Sequence, residues 1–164
     1  MKTLLLVRHA KSSWDYPGLT DFERPLNKRG HHDAPMMGKI LLGKKCVPDL
    51  IISSPALRAI TTARHFAENM AYPLENISTD ERLYDAGPSD IKTVISEVND
   101  SVNCLMIVSH NPGLTDVAGE LSGKAIENIV TSAILSIEFE ADSWKAIHKK
   151  NAKTGFYEYP KMYI

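Results

Sequence analysis

The chain lacks any long apolar stretch: none of its 164 residues falls in a run near the roughly 20 consecutive apolar residues of a membrane-spanning helix. It also lacks a block of like charge. Nineteen Lys and Arg balance 20 Asp and Glu, for a net charge of −1, so bulk nucleic-acid or membrane-surface binding is not expected. Cysteine is scarce. Cys46 and Cys104 form no CxxC pair, which excludes a disulfide scaffold and leaves two buried free thiols in a reducing compartment. Neither is followed by an arginine at the spacing of a cysteine-phosphatase loop. No GxGxxG or Walker pattern follows a strand, so no nucleotide cofactor is expected. No repeat, linker or low-complexity segment interrupts the sequence, and residues 1–164 read as a single domain. The first apolar run ends at Val7, short of the about 7–15 apolar residues of a secretion signal, and a cytoplasmic protein is expected.

What is present gathers first at Leu4-Leu5-Leu6-Val7-Arg8-His9-Ala10-Lys11. An unbroken aliphatic run reads as a strand buried on both faces, the kind found in parallel sheets. The residues after such a strand are delivered to the carboxyl edge of the sheet, where open α/β folds bind ligands. Beyond it, residues 11–27 form a long polar loop holding Trp14, Tyr16 and Glu23-Arg24-Pro25-Leu26. Loops of this length in compact domains are usually functional or disordered, and the aromatics favour function.

A helix is predicted over 28–44, with Pro35 in its first turns or breaking it. A second strand, 47–52, ends in Ser53-Ser54-Pro55, and a helix over 56–70 places Arg58 in its first turn. A short edge strand at 77–80 precedes Glu81-Arg82-Leu83-Tyr84. Pro88-Ser89 opens a helix with Ile91, Val94, Ile95 and Val98 at helical spacing. The third strong strand, 104–108, ends in Ser109-His110-Asn111-Pro112-Gly113, and a helix over 114–121 follows. Residues 132–139 and 144–148 read as a strand pair joined by a turn, and residues 151–164 receive no assignment. The alternation predicts an α/β/α domain with a mainly parallel central sheet and an antiparallel edge.

If the three strong strands are parallel, Arg8, His9, Arg58 and His110 meet at one edge. Two guanidinium forks and two imidazoles suit a phosphoryl group, since guanidinium matches phosphate oxygens bidentately and stays charged. A helix N-terminus near Arg58 adds favourable potential for an anion.

These residues carry a resemblance. Arg8-His9-Ala10 resembles the Arg-His-Gly/Ala signature of the histidine phosphatase superfamily, which includes the phosphoglycerate mutases. Ser53-Ser54-Pro55 leading to Arg58, with Thr61-Thr62-Ala63 after it, is similar to that family's second motif, and Ser109-His110-Asn111 to its third. Arg8-His9-Ala10-Lys11-Ser12-Ser13-Trp14, Arg24-Pro25-Leu26 and Arg29-Gly30 resemble the phosphohistidine phosphatase branch of the SixA type. The resemblance implies a phosphoglycerate mutase-like fold and a metal-independent hydrolase. In it His9 carries the phosphoryl group covalently, and Arg8, Arg24, Arg58 and His110 bind it. It implies a phosphohistidine-bearing protein as substrate and partner.

No general acid is secure. In some branches an aspartate follows the second histidine, but here Asn111 stands there, and an amide is no acid. Glu81-Arg82-Leu83-Tyr84 looks like a remnant of a mutase motif, which makes Glu81 the candidate acid or, equally, a solvated carboxylate. An ester expels an alkoxide whose conjugate acid has a pKa of about 15–16 and needs a proton donor. Phosphohistidine expels an imidazole with a pKa of about 6.5 and needs far less help. His31, His32 and Asp33 are no metal site, because neighbouring residues on a helix point apart. Two other functions stay open: a small-molecule phosphomonoesterase or mutase of the same superfamily, and a non-catalytic phospho-binding module.

Overall fold

A computed structural model describes residues 1–164, which form one α/β domain around a six-stranded sheet. The strands are β1 (Lys2–Arg8), β2 (Leu50–Ser53), β3 (Ser78–Thr79), β4 (Cys104–Ser109), β5 (Ile134–Phe139) and β6 (Ala152–Glu158). Their order across the sheet is β3-β2-β4-β1-β5-β6. The first four run parallel, and β5 pairs antiparallel with both β1 and β6, as the predicted antiparallel edge requires. Register places Arg8 beside Ser109 and Ser53 beside Val108, so β1, β2 and β4 end level with one another.

Side-chain alternation explains the unbroken apolar run of β1. Leu4 and Leu6 enter one core, with Leu105 and Ile107 of β4 and the apolar stripes of α3 (Pro88–Ser96) and α4 (Gly113–Ser122). Leu5 and Val7 enter the other, with Met106 and Val108 and the stripes of α1 (Lys28–Gly43) and α2 (Leu57–Met70). Each fully buried aliphatic side chain contributes roughly 1.5–3 kcal/mol, and none of these four positions of β1 touches solvent. Pro35 lies inside α1 without ending it.

The sequence reading fails at the far end of the chain. Residues 144–148 are not a strand. Trp144 opens a 3-10 turn, is 1% exposed, and closes the base of the α3/α4 core. Its indole Nε1 donates to the Val102 carbonyl at 2.8 Å. Trp144 and Ile147, three residues apart, therefore owe their apolar character to plugging a core, not to a pleat. The edge strand is β6, within the unassigned segment, and Gly155 in it faces Ser136 of β5.

The loop 11–27 doubles back on itself through the bridge between Ser12 and Leu26. Ser13 N–H donates to the Pro25 carbonyl at 2.8 Å, and Asn27 N–H to that of Lys11 at 2.9 Å. Asn27 then caps α1, its side chain accepting from Gly30 N–H at 2.9 Å. Gly30 is required because a Cβ there would stand 2.2 Å from the Lys11 carbonyl oxygen. The loop's start is thereby pressed against the first turn of α1.

Candidate active site

Four segments converge at the carboxyl edge of the parallel strands. His9 follows β1 directly, and its main-chain N–H donates to the Ser109 carbonyl at 3.2 Å, which extends the β1–β4 ladder by one bond. Ser54 N–H does the same from β2, to Val108 at 2.9 Å. Arg58 is the second residue of α2. Thr62, one turn on, donates to the Arg58 carbonyl at 2.7 Å and accepts from Ala10 N–H at 2.9 Å, which ties the residue after His9 to α2. The pocket so formed measures about 190 Å3 and is lined by residues that include Arg8, His9, Arg24, Arg58 and His110. A larger depression of about 690 Å3 lies by Trp144 and the ends of α3 and α4, away from this chemistry.

His9 is buried, and its Nδ1 lies 2.8 Å from the Ala10 carbonyl. A carbonyl only accepts, so Nδ1 carries the proton and Nε2 is the bare nitrogen. Burial pushes its pKa down to about 3, and His110, Arg58 and Arg8 push the same way. The His110 ring stands 5.0 Å from the His9 ring, centroid to centroid. Burial, then Arg58, pushes His110 down to about 4. Both imidazoles are therefore neutral at pH 7. His110 Nε2 meets Ser54 Oγ at 2.8 Å, and Ser54 Oγ also accepts from Ala56 N–H at 3.3 Å. In the tautomer with the histidine proton on Nδ1, Ser54 O–H donates to Nε2 and Nδ1–H is left for a ligand. That Nδ1 and Arg8 Nε are buried without a protein partner, two donors that an oxyanion would satisfy.

Arg8 is held apart, whereas Arg24 and Arg58 share Asp21. Arg8 Nη1 donates to the Ile129 carbonyl at 3.2 Å. Asn111 Nδ2 donates to that same carbonyl at 2.8 Å and to Asn128 Oδ1 at 3.0 Å. Asn111 Oδ1 accepts from Thr115 N–H at 3.1 Å and Oγ1 at 2.7 Å. Arg24 lies over the Trp14 ring, its Cζ 3.3 Å from the centroid. Its Nε donates to the Ser13 carbonyl at 3.1 Å, its Nη2 to Ser12 Oγ, and its Nη1 to Asp21 at 3.0 Å. Arg58 donates through Nη1 to the Asp21 carbonyl at 2.6 Å and through Nη2 to Asp21 Oδ2 at 3.0 Å.

The structure thus brings together Arg8, His9, Arg24, Arg58 and His110, and it does not bring in Glu81. Glu81 is exposed on a 3-10 turn and does not line the pocket. That turn buries Leu83, sends Arg82 outward to Asp80 and Glu97, and directs only Tyr84 toward the site. Of the two readings of Glu81, this placement fits the solvated carboxylate, and no carboxylate lines the pocket. Sequence reasoning missed Asp21 and the wall at Ile129 and Thr131. Asp21 stands three residues before Arg24 in the aromatic loop, the one available signal. His31 pairs with His65 at 3.0 Å while His32 pairs with Asp33, and no three His, Cys, Asp or Glu side chains gather to hold a metal.

Solved structures share this fold. A candidate phosphohistidine phosphatase SixA from Agrobacterium tumefaciens superposes with a TM-score of 0.83 at 23% identity, over 97% of this chain and 98% of that one. The protein histidine phosphatase SixA in complex with tungstate gives 0.79 at 22%, over 98% of each. Among sequences, an uncharacterised chloroplastic protein of Arabidopsis thaliana is 32% identical over 152 residues, 88% of this chain and 69% of that protein. A phosphoglycerate mutase of Chelativorans is 33% identical over 88 residues, 50% of this chain and 43% of the mutase. The sequence model of the Histidine phosphatase superfamily (branch 1) matches residues 4–103, a span that holds Arg8, His9 and Arg58 and stops before His110. That match covers more than half of the chain, which therefore belongs to the histidine phosphatase superfamily.

Proposed function

We propose that the chain is a phosphatase that works through a phosphohistidine intermediate on His9 and acts on phosphohistidine in a protein. One observation carries the reading: a bare imidazole nitrogen among guanidiniums, in a pocket that no carboxylate lines. His9 Nε2 forms a bond to phosphorus as the substrate's P–N bond breaks, and the departing imidazole takes a proton from solvent. Arg8 and Arg58 bind the equatorial oxygens as charge redistributes, Arg24 binds from the loop, and His110 donates from Nδ1. The Nδ1–H of His9 stays on Ala10 throughout and fixes the ring. Water then attacks the phosphoenzyme, inorganic phosphate leaves, and neutral His9 is regained.

The absence of a proton donor selects the substrate. A phosphohistidine ring takes its proton from solvent at the free ring nitrogen and leaves as neutral imidazole, whereas an alkoxide must be protonated at the departing oxygen itself. Pocket size points the same way. About 190 Å3 admits a phosphoryl group and little beyond one ring, so the body of a substrate must rest outside. The likeness to SixA structures, one with tungstate bound, supports the reading.

A panel of substrates tests it. kcat/KM is measured on a histidine-phosphorylated protein made with phosphoramidate, on an aryl phosphate and on 3-phosphoglycerate. General acid catalysis is worth about 10²–10⁴-fold, so the phosphohistidine protein should exceed the alkyl ester by at least that order. An alkyl ester turned over as well as phosphohistidine would assign the chain to the small-molecule phosphatases. No turnover of any of them, with phosphate still bound, would make it a binding module.

A further inference from the structure

Asp21 touches both arginines that reach the pocket from outside β1. Its Oδ1 accepts from Arg24 Nη1 at 3.0 Å, and its Oδ2 from Arg58 Nη2 at 3.0 Å and from Tyr84 O–H at 2.7 Å. Its main-chain carbonyl accepts from Arg58 Nη1 at 2.6 Å. It does not line the pocket, and half of its side chain is exposed, so it holds the arginines from behind. Tyr84 extends the linkage, with its ring edge on His110 at 5.6 Å and against Phe22 at 5.1 Å.

We infer that Asp21 is a positioning residue, which sets the angle between the Arg24 and Arg58 forks so that their remaining N–H groups face one phosphoryl group. Arg24 and Arg58 are both buried like charges, and without a carboxylate between them they repel. Each keeps another anchor when the carboxylate is lost: Arg58 the Asp21 carbonyl, Arg24 the Ser13 carbonyl, Ser12 and Trp14. The arginines therefore stay in the pocket but lose their common reference. Catalysis depends on that angle, while simple oxyanion binding depends chiefly on total charge, which rises by one when Asp21 is neutralised. The inference rests on the pocket being a phosphoryl site.

The test separates kcat from oxyanion affinity, with tungstate as the probe. Asp21→Asn should lower kcat on the histidine-phosphorylated protein by on the order of tenfold or more, while tungstate binds as tightly as in wild type or more tightly. Asp21→Glu keeps the charge at the wrong length, so it should also lower kcat with tungstate affinity unchanged. Parallel loss of kcat and tungstate affinity in both variants would reduce Asp21 to general structural support and overturn the inference. So would wild-type kcat in Asp21→Glu, because charge alone would then suffice. A wild-type protein that binds no tungstate would instead remove the phosphoryl site itself.

Discussion

Asn111 uses all four of its hydrogen bonds on the wall that carries Arg8. Two amide protons go to Ile129 and Asn128, and the amide oxygen takes two from Thr115. A carboxylate at this position would face the Asn128 and Ile129 oxygens with no proton to offer. Asn111→Asp should therefore gain no ester activity and lose phosphohistidine turnover by about tenfold or more, through a displaced Arg8. Steady-state kcat on both substrate classes checks this, and a rise in ester turnover would show that residue 111 can serve as an acid. At this scale the sequence was legible where a strand aims the side chain. Arg8, His9 and His110 each leave a strand end, and Arg58 opens a helix after one. Glu81 and Asp21 were not legible, because each sits in a 3-10 turn whose direction depends on what the turn buries.

Helix α4 is set by a contact that no side chain could share. A Cβ on Gly113 would stand 2.0 Å from the Ala86 carbonyl oxygen. The turn before α3 is thus packed on the start of α4, three residues after His110. Gly113→Ala should destabilise the fold by about 1–3 kcal/mol, as overpacking does, and lower kcat by shifting His110. Urea midpoints with kcat measured on the folded protein would show it, and an unchanged midpoint would mean that the turn moves aside freely. Elements with both faces buried, such as β1 and β4, announce themselves as unbroken apolar runs. Strand β6 did not, because an edge strand with half-buried and exposed positions lacks such a run, and the stronger apolar signal at Trp144 lies in a turn.

The whole molecule buries two neutral imidazoles at one sheet edge, and this couples its stability to pH. Unfolded histidine titrates near about 6.5, whereas folding holds His9 at about 3 and His110 at about 4. Between those values the unfolded chain binds more protons than the folded one. Stability is therefore complete above pH ~6.5 and falls as pH drops toward the folded values, by roughly 1 kcal/mol per pH unit for each histidine within that window. Asp21, held low by Tyr84 and the two arginines, adds a loss in the same direction at lower pH. Urea midpoints at pH 7, 6 and 5 should decline, and His110→Gln should flatten the decline. A flat profile in wild type would mean that the imidazoles are solvated. Turnover follows the same logic, with no limb near 6.5 and a loss only as pH falls toward about 3, where His9 Nε2 gains a proton.

The most direct test is to look for the phosphoryl group on His9. Wild-type protein is mixed with a radiolabelled histidine-phosphorylated protein, quenched within the first turnover, digested and mapped. The account predicts acid-labile, base-stable label on the peptide that contains His9, and none in His9→Ala. Label on another residue, or a burst of phosphate with no phosphoenzyme at any quench time, would contradict it.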